Sequence, residues 1–152
     1  MAEALSGRVA LVTGAARGQG RAHALALAEA GADLVLCDLG RDLDTVPYPL
    51  GTPEELEAVA RSVRATGRRC LARTVDVRDI AAMAALVADA EVEFGGPDLV
   101  VANAGIISYG PSWQLTEAEW DDVVGTVLKG CWATCRAAIP GLIARGHGGA
   151  IV

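Results

Sequence analysis

Residues 13–20 read TGAARGQG: Thr13, Gly14, Ala15, Ala16, Arg17, Gly18, Gln19 and Gly20. They follow an apolar run, RVALVT at 8–13, and lead into an amphipathic stretch. Glycines at 14, 18 and 20 let backbone come close to a phosphate. The free N–H groups and dipole of the helix that follows favour its negative charge. The G-x-x-x-G-x-G spacing is a variant of the G-x-G-x-x-G dinucleotide fingerprint. Glycines also make plain turns, so the spacing gains its meaning from context: a strand before, a helix after, and a carboxylate at the end of the next strand.

That carboxylate is Asp38, with Leu39 beside it, closing the run DLVLCD at 33–38. An acid there accepts hydrogen bonds from an adenosine ribose and repels a 2′-phosphate, which predicts NAD rather than NADP. Arg17 points mildly the other way, because a cation in the glycine loop can pair with that phosphate. The plain alternatives are a solvated strand-end acid at 38 and a surface loop residue at 17. Two more strand ends carry Asp76-Val77 and Asn103-Ala104-Gly105. Ligands on open α/β sheets bind at the carboxyl ends of the strands. Asp76 is placed to hydrogen-bond an adenine edge, and the small Ala104-Gly105 lets backbone pass close to a ribose.

The elements that must hold these residues alternate short apolar runs with amphipathic stretches, the pattern of βαβ units on a parallel sheet. Strands are predicted at 8–13, 33–38, 69–77 and 98–103, and a first helix over 18–30. Residues 40–51, GRDLDTVPYPLG, have no period and read as a loop. Thr52-Pro53-Glu54-Glu55 then offers an N-cap, a proline at the first helical position and a capping-box glutamate. Leu56, Val59, Ala60 and Val63 form one buried face of a helix ending near Gly67. Asp79 caps a helix carrying Ile80, Met83, Leu86 and Val87 to Phe94. Thr116 and Glu119 make a second capping box. It opens a long helix with Trp120, Val123, Val124, Val127, Leu128, Cys131 and Trp132 at helical spacing, which Pro140 is expected to kink or end. Gly148-Gly149 then turns into AIV at 150–152, the start of a fifth strand. The fold class is therefore α/β, a Rossmann-type doubly wound parallel sheet, incomplete at four to five strands. Residues 1–152 form one domain.

Composition narrows the function further. The formal net charge is −6, which argues against a nucleic-acid backbone as partner. Charge or glycine breaks every apolar run well short of the roughly 18 residues of a membrane span. MAEALSGR at the start lacks the basic and apolar regions of a secretory signal, so a cytoplasmic protein is expected. Cys37, Cys70, Cys131 and Cys135 contain no C-x-x-C pair and read as reduced, half-buried thiols. With only His23 and His147 to add, no metal site is expected, and His23 reads as helix surface.

Together, TGAARGQG, Asp38, DVRD at 76–79, NAG at 103–105 and EWDDVVGTVLKG before the long helix resemble the short-chain dehydrogenase/reductase family. The resemblance spans essentially the whole chain. VPYPLGTPEEL at 46–56 is similar to the insertion of an actinobacterial branch with carveol-dehydrogenase-like and mycofactocin-associated members. The resemblance implies an NAD-dependent oxidoreductase acting on alcohols and ketones, with the cofactor often held tightly. Its implied cofactor residues are Gly14, Arg17, Gly18, Gln19, Gly20, Asp38, Leu39, Asp76, Val77, Asn103, Ala104 and Gly105.

The family's catalytic groups are a Tyr-x-x-x-Lys pair, an upstream serine and an asparagine in the long helix. Tyr48 and Tyr109 are followed four residues on by Thr52 and Trp113, and Lys129 is the only lysine, so no such pair can be written. The asparagine position falls on Val127. Ser108 has no partnering histidine and reads as a loop residue. No residue here is therefore assigned a catalytic role, and the domain is expected to be truncated before the catalytic segment and inactive by itself. A substrate alcohol or ketone would need the missing half. The alternative is a non-catalytic nucleotide-binding or interaction protein, which Val127 favours. The face carrying Val124, Leu128 and Trp132 and the edge of the fourth strand are expected to stay partly uncovered, predicting a homo-oligomer.

Overall fold

The structure is a computed structural model that describes residues 4–152. Of the MAEALSGR segment, Met1–Glu3 lie outside the described residues. The elements run β1 (Val9–Thr13), α1 (Gly18–Glu29), β2 (Asp33–Asp38), α2 (Pro53–Ala65), β3 (Cys70–Thr74), α3 (Ile80–Phe94), β4 (Leu99–Val101), α4 (Glu117–Val124), α5 (Gly130–Arg145) and β5 (Ala150–Ile151). A π-helical turn, Gly125–Lys129, joins α4 to α5 without breaking the helical path.

All strand pairs are parallel and the sheet order is β3-β2-β1-β4-β5. The chain moves outward from β1 through β2 to β3, then returns to the other side of β1 with β4. Helices cover both faces. Ala10 and Val12 of β1 pack with Ala24 and Ala28 of α1 and with Leu56, Val59 and Val63 of α2. The alternate residues Val9 and Leu11 pack with Met83, Leu86 and Val87 of α3 and Ala138 of α5. This two-residue alternation within a strand buried on both sides is what a doubly wound sheet requires.

Local signals set the helix starts. Thr52 Oγ1 accepts from the Glu55 N–H and Glu55 accepts from the Thr52 N–H, completing the box ahead of α2. Asp79 accepts from Ala81 and Ala82 at the start of α3. Thr116 and Glu119 do for α4 what Thr52 and Glu55 do for α2.

Three expectations change. β3 and β4 are shorter than their apolar runs and end at Thr74 and Val101, so Asp76-Val77 and Asn103 lie in the turns beyond them. Pro140 does not end the long helix, which runs on to Arg145. It sits on the exposed side of the helix. The outer edge of β4 is also covered. β5 pairs with it through Leu99 and Val100, and the Ala102 N–H donates to the Val152 carbonyl. The apolar helix face does remain open, with Leu128 70% and Trp132 52% exposed. Among the described residues no helix is long and apolar enough to cross a membrane, and no group of three or more His, Cys, Asp or Glu could hold a metal ion.

Candidate functional site

The carboxyl ends of β1, β2, β3 and β4 surround one cavity of about 360 Å³. It opens where the order reverses between β1 and β4, the place an open α/β sheet binds ligands.

The glycine loop forms its upper wall. Gly14 leaves β1 with φ +65°, and a Cβ at Gly20 would stand 2.0 Å from the Gly14 carbonyl oxygen, so α1 packs directly on the loop. The Ala15 N–H donates to the Cys37 carbonyl, and the Ala16 N–H donates to Asp38 Oδ2 at 2.9 Å. No side chain caps α1, and its first turn carries no acid. Its first-turn N–H groups, set beside the cavity at Gly18 and Gln19, are therefore left for an anion.

Asp38 is 9% exposed, and Oδ1 lies against Gly51. The preceding Cys37 thiol is pushed up to about 12 by burial, with the Asp38 charge adding to it, which leaves the thiol protonated and unreactive. Across the cavity, Asp76 is gripped by Arg78: Nε lies 3.0 Å from both carboxylate oxygens and Nη2 2.7 Å from Oδ2. Burial pushes the Asp76 carboxyl up. The hydrogen bonds and charge of Arg78, with the charge of Arg41, outweigh that and hold it below the ordinary carboxylate value. It is an acceptor-only group at the cavity wall.

Asn103 faces the loop rather than presenting its amide to a ligand. Its Nδ2 donates to the Thr13 and Gly14 carbonyls at 2.9 and 3.3 Å, and the Ala104 N–H donates to Thr13 Oγ1. The β4 end thereby clamps the glycine loop in place.

Of the twelve predicted residues, Gly14, Arg17, Gly18, Gln19, Asp38, Leu39, Asp76, Val77, Asn103, Ala104 and Gly105 border this cavity. Gly20 stands behind it as a packing residue. The Arg17 guanidinium donates to the Pro49 carbonyl.

Sequence reading missed the far wall. Leu43, Tyr48, Pro49, Leu50 and Gly51, from the segment read only as a loop, border the same cavity, as do Ile106 and Thr126. This segment is a folded strap. Leu43 and Val46 are buried, the Val46 N–H donates to the Leu43 carbonyl, and the Leu50 N–H donates to Asp42. The Tyr48 hydroxyl accepts from the Ile107 N–H, and the Tyr48 and Tyr109 rings meet edge-on at 6.4 Å. Ser108 donates to the Thr45 carbonyl, the loop role expected of it. A tyrosine and two buried apolar residues within a proline-rich stretch were the available signal. His23 lies on the exposed side of α1, Lys129 is exposed, and Val127 is 48% exposed in the π-helical turn beside Gly105.

A family model described as short chain dehydrogenase matches residues 8–152. An uncharacterised NAD-dependent oxidoreductase of Mycobacterium tuberculosis is 50% identical over 149 residues, covering 97% of this chain and 54% of the relative. The (−)-trans-carveol dehydrogenase of Rhodococcus erythropolis is 43% identical over 150 residues, with coverage of 97% and 54%. The crystal structure of carveol dehydrogenase from Mycobacterium avium in complex with NAD superposes with a TM-score of 0.94 at 38% identity, over 97% of this chain and 54% of that one. The chain spans about half the length of these relatives.

Proposed function

The chain belongs to the short-chain dehydrogenase family, and from that premise we propose that its crevice binds NAD(H) in the service of an alcohol or ketone oxidoreductase. The observation that carries this reading is the uncapped start of α1 facing the same cavity as the buried carboxylate of Asp38. In this reading the first-turn N–H groups at Gly18 and Gln19 take the pyrophosphate. Asp38, already fixed by the Ala16 N–H, takes the adenosine ribose and repels a 2′-phosphate. Asp76, ionised and acceptor-only, takes the adenine amino group, with Val77 beside it. Ala104 and Gly105 leave room for the second ribose. Similarity to an NAD-bound carveol dehydrogenase supports the choice of cofactor.

When bound, the nicotinamide supplies hydride transfer. The residues of this chain bind and orient it, and none of them forms the Tyr-x-x-x-Lys pair that moves the proton. Calorimetric titration with NAD and NADP tests the assignment. NAD is expected to bind at least tenfold more tightly, and preferred NADP binding would overturn the role of Asp38.

Val127 favours a second reading, a nucleotide-binding protein without catalysis, because an apolar side chain beside Gly105 cannot hold a relay water. NADH-dependent carbonyl reduction by the 152-residue chain above a buffer blank would rule that reading out. Self-association is also proposed. Leu128, Trp132 and Ile143 on the α4–α5 path are 70%, 52% and 74% exposed, and a second copy would cover them. Light scattering is expected to show more than a monomer. The four cysteines are free thiols, which suits the reducing cytoplasm proposed as its location.

A further inference from the structure

Besides its ties to Arg17, Ile107 and Ser108, the strap meets one carboxylate that no cofactor contact requires. Asp122, on α4, stands between two groups far from it in sequence. Thr45 Oγ1 of the strap donates to its Oδ2 at 2.5 Å, and Arg78 donates to its Oδ1 through Nη1. The same Arg78 holds Asp76 at the cavity wall. The side chains of Arg78 and Asp122 are 20% and 25% exposed, so solvent screens the pair only in part. The hydrogen bonds that Arg78 donates to Asp76 outweigh the cost of its burial, and the charges of Asp76 and Asp122 add to them, so the guanidinium is held firmly protonated.

We propose that Asp122 is a positioning residue: its carboxylate latches the strap shut over the crevice through Thr45 while bracing Arg78 against Asp76. By this latch the strap retains a bound dinucleotide, and that retention part of the inference rests on the dinucleotide reading. The latch itself rests only on geometry. Either partner alone could be satisfied by water. Sharing one carboxylate makes strap closure and the aim of Asp76 parts of one unit, and each bond to the charged acceptor contributes more than a neutral one.

The test compares Thr45→Val, which keeps the shape and removes the donor, with Thr45→Ser, which keeps the donor. Two readouts serve: amide hydrogen exchange over 43–50 without ligand, and the NADH dissociation rate by stopped-flow fluorescence. Thr45→Val is expected to speed both about fivefold, and Thr45→Ser to restore both, with thermal midpoints unchanged within about 2 °C. Asp122→Asn retains one acceptor oxygen for two donors and should speed exchange similarly. The Thr45→Val/Asp122→Asn double variant should add little more, as expected of one shared interaction. Unchanged exchange in Thr45→Val, or fully additive effects in the double variant, overturns the latch. Faster exchange with an unchanged NADH dissociation rate overturns the coupling to retention. If the wild-type chain binds no NADH, the dinucleotide reading and the retention part fall together, and the exchange measurements still decide the latch.

Discussion

Helices α1 and α2 pack side by side on one face of the sheet and start in opposite ways. At the start of α2, Thr52 and Glu55 satisfy each other's backbone N–H groups, and Glu54 and Glu55 set two acids against the positive end of the helix. Helix α1 starts from Arg17 at its N-cap with Gly18 and Gly20 in its first turn, and it has no capping side chain and no acid there. One helix closes its own account within the chain, while the other leaves its donors beside a 360 Å³ cavity. An uncapped helix start bordering a cavity keeps donors that an anion can take, whereas a capped one has already used them within the chain.

Gly20→Ala should break the comparison most strongly. Its new Cβ would meet the Gly14 carbonyl, which is backbone and cannot swing aside, so the loop must shift. We expect NAD(H) affinity to fall about 100-fold, the loss of two or so charge-assisted hydrogen bonds. Titration checks this, and wild-type affinity would mean that α1 is merely a turn and a helix. Asp38→Asn keeps an oxygen for the Ala16 N–H and removes the charge. The preference for NAD over NADP should shrink about tenfold, equal to about 1.4 kcal/mol. A competition titration reads it directly.

Thr52→Ala, on the helix that closes itself, should do the reverse. Stability should fall by about 1 kcal/mol, lowering the thermal midpoint by about 2–4 °C, while NAD(H) affinity stays unchanged. A change in affinity would show that the two helix starts are coupled. Mild acid provides a finer contrast. The carboxyl of Asp76 is held below its ordinary value of 3.8 in the folded chain. Its stabilising contribution is therefore full above that value and is lost as pH falls through the lower folded one. Removing its partner by Arg78→Met should flatten that part of the acid unfolding curve. Glu55→Gln should have the smallest effect, a few tenths of a kcal/mol, because glutamine still completes the capping box and loses only the charge at the helix start.

Much of this was legible locally. The glycine spacing, the acid at the end of β2 and the capping boxes each depend on residues within a few positions of one another, and hydrophobic period marked the helices. Strand ends were less legible. The apolar runs of β3 and β4 continue past the last paired residue, and hydrophobicity alone carries no mark of where the ladder stops. Proline disfavours a helix interior, yet the helix does not end at Pro140 and runs on to Arg145, with Ala133 and Ala138 buried on its packed side. The strap was read as a loop because no periodicity marks a segment whose partners are Arg17, Ile107, Ser108 and Asp122.

By itself, then, the sequence determined the order of elements, the glycine loop after β1 and the acid at Asp38, since each is written in short-range spacing and side-chain chemistry. Only the tertiary structure decided which strands are neighbours, that β5 covers β4, and that the strap walls the crevice and meets Asp122. Those arrangements join residues as much as 89 positions apart, as where β4 meets β1, and contact there follows from packing the whole chain and leaves no local pattern to read.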